Sequence, residues 1–378
     1  MPPRQTLAGV EAAAAAIADL QSALPVPVAV ETGVNYLRPR SDELGDGEFV
    51  ARVVEAADCG LLLDMHNLFT NSLNGRLPLA EVLDALPLDR VWEVHLAGGL
   101  ELDGFWLDAH SGAIPDPLYA VCESLIGRLP KLGAIVFEIF PSFVAEVGLE
   151  LVAAQLERVR RLWDLRSRPQ EAPSRAEPTP TGPITIGRAP NLEPIATPAN
   201  WERALGGLVT GRSPADPLGK ELAADPGVRI VEGLIHEFRA SMIVGVLRLS
   251  SRLIMLALGT DAFRTILNDY FAKVQPQMYG GLEAEKFADY LEQASIPLPY
   301  LAKLVEFELA IAATLLDDEA RIVEFEFEPL PLLRALAAGR LPETPAERGR
   351  FEIELTADGP EAVTGLSRDD LREAFPFH

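Results

Sequence analysis

Carboxylates and imidazoles recur at one kind of place in the N-terminal part of this sequence: directly after a short apolar run. Val26 to Val30 leads to Glu31. Leu61 to Leu63 leads to Asp64, with His66 and Asn67 close behind, and Val91 to Val94 leads to His95. Phe105 to Leu107 leads to Asp108 with His110, and Ile135 to Phe137 leads to Glu138. Carboxylate, imidazole and amide oxygen together make a donor set suited to divalent or trivalent metal.

Each position has a plainer reading as well. Glu31 could serve a helix N-terminus, and Asp64 or Asn67 could cap a helix start. His95 could be a satisfied structural imidazole. Asp108 and His110, two residues apart on one face of an extended segment, could bind one ion or form a carboxylate-oriented histidine. Glu138 lies inside the apolar run IVFEIF, where an unpaired ionised carboxylate is costly to bury, so it needs a partner. Repetition at five successive run ends is what favours a metal site over five separate structural accidents. Glu93, Glu101 and Asp103 have less specific surroundings and read as solvated or as neighbours of ligands. His236 reads as structural or surface, and His378 is simply terminal. No glycine-rich phosphate loop, GxSxG elbow or HExxH is present.

The elements that must position these groups alternate. The apolar runs are separated by amphipathic stretches at Gly47 to Ala57, Leu77 to Leu86, Pro117 to Arg128 and Leu149 to Leu162. Continuous apolar strands alternating with helical-period segments predict parallel βα units and an α/β fold. In a (β/α) barrel the C-terminal strand ends converge on one mouth, which would gather the five groups.

Eight prolines between Pro169 and Pro198 cannot propagate a helix or a central strand. The segment 166–200 therefore reads as a linker between a domain at 1–165 and a second at 201–378. In the second, Val228 to Leu258, Asp261 to Val274, Phe287 to Gln293 and Leu301 to Leu316 have apolar spacing near the helical period and predict a helical bundle. RIVEFEFE at 321–328 and FEIEL at 351–355 alternate apolar and acidic residues, predicting a small β part.

Among the 378 residues, 33 are Lys or Arg and 56 are Asp or Glu, a net charge of −23. That field repels a phosphate backbone, which argues against nucleic acid as partner, and it favours cations. Cys59 and Cys122 are the two cysteines, too few for a disulfide framework, and a reducing cytoplasm suits them. The apolar stretch from Met242 to Gly259 contains Arg248 and Arg252. A charge at bilayer depth costs roughly 2.5 to 3.5 kcal/mol, so no membrane span is expected. Met1 to Leu24 lacks the pattern of a signal peptide.

The ordered series ETGVNY, LLLDMHN, EVHLAGG, WLDAHSG and VFEI, between Pro25 and Trp163, resembles the multinuclear non-heme iron-dependent oxidative enzymes of the methanobactin-biosynthesis oxidase type. The resemblance implies a TIM-type barrel holding two or three iron ions, Fe(II) and Fe(III). It also implies oxidation by dioxygen of cysteine, or a nearby residue, in a ribosomally made precursor peptide. Carried over, Glu31 becomes a bridging carboxylate, Asp64, His95 and Glu138 further iron ligands, and Asn67, Asp108 and His110 ligands of the neighbouring iron. His66 has no counterpart in that set.

The stretch from Phe263 to Ile311, containing FRTILNDYFAKVQPQ, FADYLEQ and IPLPYLAKLVEFELAI, resembles the helical partner proteins that help such oxidases engage their peptide. A fused partner would raise the effective concentration of peptide at the iron site. In the family, further βα units with two histidines and an acidic ligand region precede the part matched here. The expected fold is therefore a partial TIM-type barrel lacking its first strands, followed by a mostly helical domain with a small β appendage. Five strands cannot close an eight-stranded barrel. The remaining strands could lie upstream of Met1 or come from another chain, or the chain could lack a full metal cluster. Two other functions use similar residues: a divalent-metal sugar isomerase or endonuclease-like barrel, and a non-catalytic peptide-binding protein with a vestigial half barrel.

Overall fold

In the computed structural model, residues 2–166, 197–214, 216–357 and 359–363 are described, so most of the proline-rich segment falls outside them. Compact packing divides the described residues into one unit drawn from 2–208 and 214–231 and another drawn from 209–213 and 232–363.

The first unit opens with α1 (Leu7–Ala23), β1 (Ala29–Glu31), α2 (Asp46–Ala57), β2 (Gly60–Asp64), α3 (Met65–Leu73), α4 (Leu79–Ala85) and β3 (Val91–Ala97). It continues with β4 (Leu100–Leu102), β5 (Phe105–Leu107), α5 (Asp116–Leu125), β6 (Ala134–Glu138), α6 (Pro141–Val147) and α7 (Leu149–Leu165). Four strands form one parallel sheet in the order β1-β2-β3-β6. Strand alternation then sorts the side chains. Val30, Leu61, Leu63, Val94, Leu96, Ile135 and Phe137 pack into a core with residues of α2 to α5 and α7. The opposite face receives Glu31, Asp64, Glu93, His95 and Glu138.

The sequence reading of five consecutive parallel strands needs correction at Phe105 to Leu107. This strand leaves the parallel sheet and pairs antiparallel with β4, Leu102 opposite Phe105. The cause is the two-residue turn Asp103-Gly104, with φ of 50° and 79°. Positive φ at both central positions makes the tight hairpin turn that Asp-Gly favours. Asp108 and His110 thus arrive from the loop that leaves a hairpin.

After the proline-rich segment, α8 (Pro198–Leu208), α9 (Pro217–Ala223) and the start of α10 (Pro226–Val246) belong to the same unit as the sheet. Arg40 pairs with Glu221 at 2.6 Å, and the Arg38 amide donates to Asp225 at 3.1 Å.

The second unit contains the rest of α10, then α11 (Arg248–Leu258), α12 (Thr260–Lys273), α13 (Gly280–Ala294) and α14 (Leu301–Asp317). Next come β7 (Arg321–Phe327), α15 (Pro329–Ala337), β8 (Arg348–Thr356) and β9 (Gly359–Val363), with the strands antiparallel in the order β7-β8-β9. Leu253, Phe263, Phe287, Phe307, Phe325 and Ile353 lie in its core. Arg239 and Glu283, both fully buried, pair at 2.7 Å, and Arg239 also donates to the Val274 carbonyl.

The apolar stretch from Val228 to Leu258 is two helices. α10 and α11 meet at a 107° bend, where buried Glu308 accepts from the amide and hydroxyl of Ser250 at 2.9 and 2.6 Å. No single helix among the described residues is long and apolar enough to cross a membrane.

Candidate metal centre

Asp64 closes β2 and starts α3. Its carboxylate accepts from the Asn67 amide at 2.7 Å, the N-cap that sequence alone left open beside metal ligation. Thr32 holds Asp64 from the neighbouring strand end: its hydroxyl donates to the Asp64 carbonyl at 3.1 Å and accepts from the Asp64 amide at 2.9 Å. This side-chain clamp continues the register in which Val30 faces Leu61 and Glu31 faces Leu62. Asp64 in turn lies opposite His95 across the β2–β3 pair.

The result is a cluster. One donor atom each from Glu31, Asp64 and His95 lies within 4.8 Å of the other two. His95 Nδ1 is 3.6 Å from Glu31 Oε1 and 3.3 Å from Glu138 Oε1. On the far side of Glu138 is a second group. His110 Nε2 lies 3.5 Å from Glu138 Oε2 and 3.1 Å from Asp108 Oδ1. Six of the seven predicted ligands therefore form one connected set, with Glu138 between its two parts. Asn67, the seventh, contacts Asp64 and Thr32, its amide nitrogen donating to the Thr32 carbonyl at 3.0 Å.

The sequence marks His66 beside Asp64 but gives it no place in the ligand set. It is fully buried, with Nδ1 2.9 Å from Asp108 Oδ1 and Nε2 3.5 Å from Trp106 Nε1. Because indole can only donate, His66 Nε2 is the acceptor and the Nδ1 proton goes to Asp108. The Tyr36 hydroxyl accepts from the Asp108 amide at 3.1 Å. Neither contact is visible locally, since each joins residues more than forty positions apart. Phe140 stacks on the His110 ring at 4.9 Å, and His110 itself sits at a φ of 46°. Left-handed backbone at a non-glycine residue is uncommon and concentrates at functional sites.

The electrostatics match this geometry. Burial, then the charges of Asp108, Glu31 and Glu138, push the Asp64 carboxyl up to about 8 against the pull of the Asn67 amide. Asp108 is only partly buried, and although that burial raises it, hydrogen bonds from His110 and His66 bring it down to about 2. The bond to Asp108 raises His110.

Do these residues fit a metal? Two polar atoms in the site, His95 Nδ1 and Asn67 Oδ1, are buried without a hydrogen-bond partner. Ligand atoms about 2.0–2.2 Å from a shared ion stand roughly 3 to 3.5 Å from one another. That is close to the spacing of His95 Nδ1 from its two carboxylates. Imidazole and carboxylates suit iron, zinc or manganese. The residues fit.

Residues 1–143 match the family described as RiPP precursor modification enzyme MbnB/TglH/ChrH. A UPF0276 protein of Streptomyces avermitilis is 32% identical over 214 residues, covering 54% of this chain and 44% of that protein. Another, from Chromobacterium violaceum, is 32% identical over 156 residues, covering 41% and 56%. A third, from Shewanella loihica, is 35% identical over 120 residues, covering 31% and 43%. The chain thus spans about half the length of these curated relatives. Residues 1–143, which contain all seven candidate ligands, are thus similar to the MbnB/TglH/ChrH family of RiPP precursor modification enzymes.

Proposed function

We propose that the chain binds two or three iron ions and uses dioxygen to oxidise cysteine, or a residue beside it, in a ribosomally made precursor peptide. The observation that carries this reading is the run of donors from Asp64 and Glu31 through His95 and Glu138 to His110 and Asp108, with His95 Nδ1 buried and making no hydrogen bond. Glu31, Asp64 and His95 would hold one ion, Asp108 and His110 a neighbour, and Glu138 would face both, with Asn67 beside Asp64. Bound iron would supply the redox chemistry toward dioxygen and a soft site for a peptide thiolate.

The chain's own groups do the rest. Neighbouring carboxylates offset the charge of the ions, Thr32 and the Asn67 amide fix Asp64, and His66 holds Asp108 in place. The four-stranded sheet would be one part of a TIM-type barrel, with its ligands at the C-terminal strand ends. Residues 201–378 would engage the precursor peptide.

Elemental analysis of anaerobically purified protein, with its visible spectrum, tests the reading. Two or more irons per chain and a coloured protein are expected. Stoichiometric zinc or manganese in colourless protein would favour the isomerase-like alternative, and no bound metal would leave only a peptide-binding role.

A further inference from the structure

We propose that Glu93 is a positioning residue: it fixes the His95 ring as the tautomer protonated on Nε2, so that Nδ1 presents a lone pair to the carboxylate cluster. Its use in metal binding rests on the function proposed above, whereas the tautomer does not.

Glu93 and His95 are two residues apart on β3 and so project from the same sheet face. Register places them in successive layers. Glu93 is level with Leu62 and Ala134, and His95 with Asp64 and Val136, one step nearer the strand ends that carry the donors. From this lower layer Glu93 Oε1 reaches His95 Nε2 at 3.0 Å. An ionised carboxylate only accepts, so the proton of that bond belongs to Nε2. The other ring nitrogen faces Glu138 Oε1 and Glu31 Oε1 at 3.3 and 3.6 Å and makes no hydrogen bond.

With Nε2 engaged by Glu93, Nδ1 is the ring nitrogen left to ligate, and it faces two carboxylates across a gap that a cation would fill. With the ring reversed, the lone pair would face Glu93 and a proton would occupy the ligand position. Which nitrogen of a histidine binds metal follows from the hydrogen bond made by the other, so Glu93 selects the ligating atom without touching the ion. Its side chain remains about a third exposed, 37%, so replacing it empties no sealed core position.

The test uses the full chain with 15N-labelled histidine, wild type beside Glu93→Gln and Glu93→Ala. Nitrogen NMR is recorded without metal at alkaline pH, then with zinc as a diamagnetic probe, and zinc and ferrous affinities are measured by competition. Wild type is expected to show a protonated Nε2, and zinc to shift Nδ1. Glu93→Gln keeps an acceptor oxygen and retains the tautomer. Glu93→Ala is expected to mix tautomers and lose about 10- to 100-fold in metal affinity. A wild-type ring protonated on Nδ1, or a Glu93→Ala protein with unchanged tautomer and affinity, overturns the proposal. If wild type binds neither metal, the iron reading fails, while the metal-free spectra still decide whether Glu93 sets the ring.

Discussion

Glu138 divides its carboxylate between two histidines, with Oε1 3.3 Å from His95 Nδ1 and Oε2 3.5 Å from His110 Nε2. The two donor groups of the site meet at this one side chain. Removing it should therefore disturb more than removing a member of either group. If the proposed iron site is correct, Glu138→Ala is expected to bring iron below one ion per chain, and Asp108→Ala is expected to retain one ion. Elemental analysis and iron spectroscopy of both variants check this, and equal iron content in the two would refute it.

Asp64 and Asp108 titrate in opposite senses, which gives the metal-free protein a defined pH response. Asp64 is raised to about 8, so its contribution to stability is complete below the ordinary carboxylate range and is lost as pH rises through about 8. Asp108 is lowered to about 2, so its contribution is present above the ordinary range and is lost as pH falls toward 2. Asp64→Asn cannot ionise and still offers an oxygen to the Asn67 amide. Relative to wild type, it should gain on the order of a few kcal/mol as pH goes from 5 to 9. Urea unfolding across that range reads the difference, and a gap independent of pH would count against it.

His66 supports Asp108 from a fully buried position. His66→Ala leaves the half-buried Asp108 carboxylate and the Trp106 indole each short of a partner. A loss of about 2 to 3 kcal/mol in unfolding free energy is expected, with the Asp108 carboxyl moving upward. Carbon NMR of the aspartates would register the second effect, which a purely steric defect would not produce.

In the second unit, Arg239 and Glu283 form a buried pair, and the guanidinium also lies 5.1 Å from the Tyr270 ring centroid. Arg239→Met strands Glu283 without its cation and should cost about 3 to 5 kcal/mol. The double change Arg239→Met, Glu283→Leu should recover much of that loss. Denaturant midpoints of the two variants make the comparison.

How far the site could be read from sequence depends on how local its causes are. Glu31, Asp64, His95 and Glu138 stand out because each follows an apolar run whose alternation sends it to the face away from the helices. Asp108 and His110 also stand out, but the path of the chain to them was misread. Asp103-Gly104 is a hairpin signal, and it outweighed the impression of one more parallel strand. α3 was legible only as a possible cap, because Asp64 serves both the helix and the cluster. His66 and Tyr36 acquire their roles from partners distant in sequence, which no local pattern encodes.

The bend between α10 and α11 has a consequence for the order in which the chain can be finished. Its acceptor, Glu308, lies 58 residues after Ser250, so neither the Ser250 amide nor its hydroxyl can find this carboxylate while ribosomal synthesis has passed only the corner. Until α14 has emerged and docked, the stretch from Pro226 to Leu258 is a long apolar segment whose corner lacks that anchor. Its maturation is tied to the completion of a later part of the chain, and during that interval its apolar surface is exposed to non-native association.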